Sequence, residues 1–300
     1  MPDDPPDWIA VDWGTTSLRL YRLDSNGGIA GRRESARGIL SVEDGGFAAV
    51  LAEAAAGWLD GGRVLMCGMI GSANGWLEAP YADCPAGFGE LAAGLAAVPD
   101  APAPTWIVPG VAYHDANGVP DVMRGEETQI FGALDLLDVD EGVFVLPGTH
   151  SKWAEVVDGR IVRFETYLTG EAFDVLRRHS ILGRLAQEAG DGDGFAAGIA
   201  AARSGGPLLH DLFSVRARTL FKQVAPADVA DFLSGLLIGH ELRDGLAMAD
   251  GRAVHVIGGA ELSRRYLAAL ELFGAKARAV PGEVSARGLF RIASTMGAAA

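Results

Sequence analysis

The stretch "IAVDWGTTS" at residues 9–17 can be laid on "VFVLPGTHS" at residues 143–151 without a gap. Val11, Gly14, Thr15 and Ser17 then coincide with Val145, Gly148, Thr149 and Ser151. In both copies an apolar run meets a glycine and hydroxyl residues before apolar alternation resumes. A second strand pattern, a Gly-containing turn (Asn26-Gly27-Gly28; Asp158-Gly159) and a third strand follow each one. Asn-Gly between alternating runs is a strong hairpin signal. Four identities in nine positions are few, but the shared strand–turn–strand–turn–strand plan predicts an internal duplication.

A hairpin needs a Gly or an Asn; it does not need Asp12, Thr15, Thr16 and Ser17 together. Successive backbone N–H groups with hydroxyls beside them form a nest for phosphate oxygens. Gly14, Thr15, Thr16 and Ser17 supply one such nest, and Gly148, Thr149, His150 and Ser151 a second, with Lys152 adding charge just beyond it. Asp12, at the end of the first strand, offers a hard oxygen to Mg2+, directly or through water. Later, "AVHVIGGAELSRRYLAAL" at residues 253–270 reads as strand, turn and helix, and Gly258 and Gly259 leave room for a flat ligand such as adenosine. Either hairpin alone is satisfied by a plain structural turn. Both, followed by the Gly-Gly turn in this order, make nucleotide binding the favoured reading. The familiar P-loop, GxGxxG, HExxH and GxSxG signatures are missing.

The composition narrows the rest. A chain of 300 residues predicts two domains, and 49% hydrophobic residues exclude disorder as its main character. A formal net charge of −14 has the wrong sign for nucleic acid or an anionic membrane. The two cysteines, Cys67 and Cys84, lack metal-type spacing and read as reduced thiols. The opening "MPDDPPDW" is acidic and Pro-rich, unlike a secretory leader, and no apolar run approaches the ~20 residues of a membrane span. A cytoplasmic protein is expected. "GDGDG" at residues 190–194 lacks the following ligands of a calcium loop and reads as a turn.

Residues 47–59 suit a helix, "RVLMCGMIG" at 63–71 a buried strand, and "GEETQIFGALDLLD" at 125–138 a helix with two glutamates in its first turn. Residues 226–249 carry Val229, Phe232, Leu233, Leu236 and Leu237 on one stripe. His240 continues that stripe, as a core or helix-end histidine rather than a ligand.

Seven stretches carry a family resemblance: "DWGTTSLR", "CGMIGSANGWLEAPY", "MRGEETQIFGAL", "LPGTHSKW", "TYLTGEAFDVLRRHSIL", "FLSGLLIGHE" and "VIGGAELSRRY". In this order they resemble the actin, hexokinase and Hsp70 superfamily of phosphotransferases. Within it the chain is most similar to the 2-dehydro-3-deoxygalactonokinases. The resemblance implies an α/β fold of two duplicated RNase H-like domains, residues 1–138 and 139–300, with a cleft between them. It implies ATP, Mg2+ and phosphorylation of the 6-hydroxyl of 2-dehydro-3-deoxy-D-galactonate, a step in D-galactonate breakdown. Asp12, Gly14, Thr15 and Ser17 match the first phosphate loop, Gly148 to Lys152 the second, and Gly258 and Gly259 the adenosine turn. Many relatives begin the second hairpin with an aspartate, and some use it as general base. Here that position is Leu146. The base is then Asp12, or one of Glu126 and Glu127, which equally serve as caps of their helix.

Arg124 is the best partner for the substrate carboxylate, because a guanidinium fork binds carboxylates bidentately. Ser72, Asn74 and Glu78 are placed to read hydroxyls, with Trp76 and Tyr81 as an apolar wall and Thr169 and Glu171 as lesser contacts. The expected partners are therefore a small keto-deoxy sugar acid and ATP, with no nucleic acid and no membrane; a homodimer is left open. Three alternatives stand beside this reading: a same-fold kinase for another keto-deoxy sugar acid or an amino sugar, a polyphosphate-type phosphohydrolase, and a non-catalytic metabolite sensor.

Overall fold

The computed structural model describes residues 8–187 and 193–297. The acidic opening and most of the "GDGDG" run lie outside the described residues. Within them the chain forms two compact units, the first made of residues 8–141, 156–163 and 281–297, the second of residues 142–155 and 164–280.

The first unit opens with the three strands the sequence predicts: β1 (Trp8–Trp13), β2 (Leu18–Leu23) and β3 (Ile29–Ser35). Ile9, Ala10, Val11 and Trp13 are all buried, so β1 has both faces covered and needs no polar alternation. Then come α1 (Phe47–Ala54), β4 (Arg63–Cys67), β5 (Tyr81–Asp83), α2 (Phe88–Ala93), β6 (Ala96–Ala97), β7 (Thr105–Ile107), β8 (Gly110–His114), β9 (Pro120–Met123) and α3 (Glu126–Leu137). The expected helix over 47–59 stops at Ala54, because Gly57 turns the chain with φ +76°. The expected strand over 63–71 likewise ends at Cys67, where Gly68 takes φ +93° and a single 3-10 turn follows.

The main sheet of this unit runs β3-β2-β1-β4-β7-β6, and β5-β8-β9 form a small second sheet. β1 pairs antiparallel with β2, setting Asp12 opposite Arg19, and parallel with β4, setting Asp12 beside Cys67.

The remaining elements are β10 (Gly142–Leu146), β11 (Ser151–Val157), β12 (Arg160–Tyr167), α4 (Thr169–His179), α5 (Gly194–Arg203), α6 (Leu208–Leu220), α7 (Val229–Ala249), β13 (Val254–Val256), α8 (Ala260–Leu272), β14 (Ala277–Ala279) and α9 (Val284–Gly297). Their sheet runs β12-β11-β10-β13-β14. Position for position this is the order β3-β2-β1-β4-β7, and the β1–β4 and β10–β13 pairs are both parallel. Val143, Val145, Val254 and Val256 form a core with Trp153 and Tyr266. Both sheets are mixed or hairpin-led, and the fold is α/β.

The division differs from the expected 1–138 and 139–300, since residues 156–163 and the last helix both join the first unit. α9 belongs to the first unit, where it packs along α3. The two helix backbones nearly touch: a methyl group on Gly132 would meet the Val284 carbonyl at 1.9 Å, and one on Gly288 the Thr128 carbonyl at 2.0 Å. A pair of glycines facing a partner backbone in this way leaves no sign in hydrophobic periodicity. Among the described residues no helix is long and apolar enough to cross a membrane.

Candidate active site

In the first unit the site grows from the carboxyl ends of two adjacent parallel strands, β1 and β4, where an open α/β sheet presents its ligands. Asp12 lies next to last on β1. Its Oδ2 accepts the Ser285 hydroxyl at 2.9 Å, and the Arg19 guanidinium stands 3.7 Å from the same oxygen. Burial pushes the Asp12 carboxyl up from its ordinary range, against the lowering effects of Ser285 and Arg19. The loop beyond it stays open: Thr15 and Thr16 are exposed, Gly14 and Ser17 half-buried. Its shape is fixed from behind, since Gly14 and Thr15 carbonyls accept the backbone N–H groups of Ile39 and Leu40. Gly38 presses against the same loop, and a methyl group there would lie 2.3 Å from the backbone of Thr15 and Thr16.

The start of α3 comes close to Asp12 through two glycines. A methyl on Gly68 would sit 3.5 Å from Asp12 Oδ1, and one on Gly125 3.1 Å from the Gly68 Cα. Glu127 is fully buried and accepts the Gly125 N–H at 2.6 Å and the Thr128 hydroxyl at 2.9 Å. Burial, with Glu126 beside it, pushes its carboxyl up to about 7. Glu126 is half-buried and accepts the Arg124 backbone N–H at 3.0 Å. Both glutamates thus bond the backbone at the mouth of their own helix. Cys67 lies among these carboxylates, and burial first, then Asp12 and Glu127, hold its thiol well above the usual range.

Arg124 and the 71–81 loop are brought together as the sequence suggests. The guanidinium Nη2 donates to the Ala79 carbonyl at 2.8 Å, and the Tyr81 ring lies 4.3 Å from the guanidinium carbon. Nε and Nη1 are buried without a hydrogen-bond partner, the only such side-chain atoms among the described residues. An unpaired buried donor is costly, and Arg124 carries two. Asn74 and Glu78 are exposed and Tyr81 is 43% exposed. Ser72 instead caps a local turn through the Met69 carbonyl, at 2.7 Å. Trp76 stacks on Phe47 against the core, ring centroids 6.3 Å apart, and is a packing residue rather than a free wall.

The second unit divides its hairpin residues differently. Gly148 is half-buried, and Thr149 and His150 are exposed. Ser151 turns inward and donates to Glu241 at 2.7 Å. Lys152 is buried, its ammonium donating to the Thr166 hydroxyl at 2.6 Å and lying near the Phe164 ring. The positive charge expected beside the second turn therefore points along the sheet. Thr169 and Glu171 lie in this unit, apart from the other residues read as sugar contacts, which belong to the first. Thr169 donates to Glu241, and Glu171 pairs with His150 at 2.8 Å. Gly170 plays the part that Gly38 plays in the first unit: a methyl there would stand 2.3 Å from the Gly148 carbonyl, while the Glu171 N–H donates to the Thr149 carbonyl.

Behind this hairpin lies a cavity of about 420 Å3, lined among others by Gly148, Gly170, Ser234, Glu261, Arg265 and Tyr266. Gly258 and Gly259 are exposed and precede α8, whose Glu261 and Leu262 line the cavity, with the Gly259 carbonyl accepting Ser263 N–H. His240 is paired with Asp211 at 2.9 Å, a satisfied helix histidine as expected.

Among the described residues no three His, Cys, Asp or Glu side chains cluster to hold a metal. Asp12 with its neighbouring hydroxyls suits a hard cation that keeps most of its waters and leans on phosphate oxygens. Sequence reasoning missed Ser285, Gly38, Gly170 and Glu241. Each acts on a hairpin far from it in the chain, and no local pattern marks such a partner.

The family model for 2-keto-3-deoxy-galactonokinase matches residues 12–292. The chain is 40% identical to a protein of Rhizobium meliloti (strain 1021) named as a probable 2-dehydro-3-deoxygalactonokinase, over 93% of this chain and 94% of that one. It is 37% identical to the 2-dehydro-3-deoxygalactonokinase of Escherichia coli (strain K12), again over 93% and 94%. A crystal structure of a Sinorhizobium meliloti protein, provisionally described as a kinase of this type, superposes with a TM-score of 0.86 at 37% identity, covering 96% of this chain and 99% of that one. With a match that runs from Asp12 through α9, the chain belongs to the 2-keto-3-deoxy-galactonokinase family.

Proposed function

We propose that Asp12 is the general base of a phosphoryl transfer from ATP to the 6-hydroxyl of 2-keto-3-deoxygalactonate, the substrate of this kinase family. The observation that carries the assignment is the setting of Asp12. It lies next to last on β1, with only Trp13 before an open Gly-Thr-Thr turn, it is largely desolvated, and both of its contacts fall on one oxygen, Oδ2. Desolvation raises the basicity of a carboxylate toward neutral pH, and phosphoryl transfer asks little more of its base than position.

Thr15 and Thr16 hydroxyls and the turn's N–H groups meet phosphate in the first unit. Gly148, Thr149 and His150 do so in the second, and the cavity lined by Gly148, Gly170 and the start of α8 takes the nucleoside. Mg2+, when bound, neutralises charge on the transferring phosphate, and Asp12 is the residue that would hold it, through water. Glu126 and Glu127, which accept backbone N–H groups, shape the mouth of α3 in this reading.

Arg124 holds the sugar-acid carboxylate through Nε and Nη1, the two donors that lack a partner. In this reading Gly71, packed against Nη1, and Tyr81, lying over the guanidinium, give way to the substrate. Asn74 and Glu78, both exposed on that segment, read hydroxyls. Duplicated RNase H-like halves account for the shared strand order of the two sheets.

The test is ADP formation with Mg-ATP against a panel of 3-deoxy-2-keto aldonic acids, with a no-acceptor control. ADP that depends on the galactonate-derived acceptor supports the reading. Phosphate release without an acceptor, or an equal rate with every acid, would overturn it.

A further inference from the structure

One carboxylate in the second unit has no part in the chemistry above, yet it is the most heavily bonded side chain of that unit. Glu241 lies on α7 and is 2% exposed. Its Oε1 accepts Ser151 Oγ at 2.7 Å and Trp153 Nε1 at 2.8 Å. Its Oε2 accepts Tyr266 OH at 2.7 Å and the Thr169 hydroxyl. Four donors fill the lone-pair directions of an ionised carboxylate. A buried network satisfied in this way is rigid, and it specifies one arrangement of its members.

The donors come from three separate segments. Ser151 and Trp153 lie on β11, immediately after the Gly148–His150 turn. Thr169 begins α4, whose next residue, Gly170, is pressed on the backbone of Gly148 and Thr149. Tyr266 lies on α8, the helix opened by Gly258 and Gly259. The cavity behind the second hairpin is lined by residues of these same segments, including Thr169 and Tyr266 themselves. Glu241, on a fourth element, bonds β11, α4 and α8 together.

We infer that Glu241 is a positioning residue: it fixes the second hairpin, the head of α4 and α8 in the one mutual arrangement that accepts the nucleotide. This rests on reading the second hairpin and its cavity as the nucleotide site. The chemistry also predicts which replacement is tolerated. Glutamine keeps an acceptor for Trp153, whose indole can only donate. Its amide nitrogen then donates to Thr169 and Tyr266, hydroxyls that can turn and accept. Alanine leaves four buried donors unpaired.

The experiment is steady-state kinetics on the full chain for Glu241→Ala, Glu241→Gln and, as reference, Gly148→Val. Glu241→Ala is expected to raise the KM for ATP at least ~10-fold while the KM for the sugar acid moves less than about twofold, and Glu241→Gln to recover most of that loss. If Glu241→Ala fails to fold, Tyr266→Phe and Ser151→Ala each remove one donor and are expected to raise the KM for ATP about threefold. Equal changes in both KM values, or a lowered unfolding midpoint with unchanged kinetics, would overturn the positioning role. Gly148→Val raising the KM for ATP while the Glu241 variants do not would overturn it alone. If Gly148→Val leaves the KM for ATP unchanged, the nucleotide reading of this hairpin fails and the role of Glu241 falls with it.

Discussion

The two Gly-hydroxyl hairpins start from nearly the same letters and end in opposite circumstances. In both, a glycine from a later segment, Gly38 or Gly170, backs the turn at a distance no side chain could share. The first hairpin then keeps its acid, Asp12, at the strand end with one oxygen engaged and the other free of partners. The second has Leu146 in that place, buried in the sheet, and its nearby acid, Glu241, is saturated by four donors. An acid that must take a proton needs spare capacity. An acid that must hold a frame needs none. Under the proposed roles, the two hairpins separate reaction from scaffolding by where each unit places one carboxylate.

The sharpest way to break this comparison is Asp12→Asn. It is expected to lower kcat by about 1,000-fold, with the KM for the sugar acid nearly unchanged. Near-wild-type turnover would show that the first hairpin is as much a scaffold as the second. Arg124→Met is the counterpart of the Glu241 variants. Loss of a charge-assisted pair should raise the KM for the sugar acid about 50-fold and leave the KM for ATP alone; a shift in the ATP value instead would assign Arg124 to the wrong substrate.

The shared backing is tested by Gly38→Ala and Gly170→Ala. Forcing a methyl into either contact should lower stability in urea by about 1–3 kcal/mol, by similar amounts in the two variants. A loss confined to one of them would mean that the hairpins are not held alike. The smallest effect concerns Glu127. Its carboxyl is raised from 4.5 to about 7, so the native state holds a proton that the unfolded chain has released. That contribution is complete below about pH 4.5 and is lost as pH rises through 7. Glu127→Gln removes the dependence, and its stability relative to wild type should climb by on the order of 1 kcal/mol between pH 5 and 7. A flat difference across that range would mean that Glu127 is ionised throughout.

The sequence announces the hairpins, the strand triplets, α3, α7 and the turn before α8, because each is a local pattern of period, glycine and hydroxyl. It also brings Arg124 to the 71–81 loop, through the shared resemblance of both stretches. It does not announce which hydroxyls face outward. Ser151 and Ser17 occupy the same place in the pattern, yet Ser151 is buried on Glu241, a partner 90 residues away. Lys152 reads as a phosphate charge and is drawn instead to Thr166 on the neighbouring strand. Trp76 reads as a pocket wall and is claimed by Phe47. In each case a contact distant in the chain outweighs the local chemistry.

The place of α9 bears on how the protein is made. Residues 142–155 and 164–280 contain every member of their own core and can complete it without the last helix. The first unit cannot, since α3 lacks its facing helix and Asp12 lacks Ser285, which follows it by 273 positions. The half that begins the chain is therefore the last to be completed, and a chain truncated before Pro281 would keep every residue of the second hairpin while Asp12 lacked Ser285.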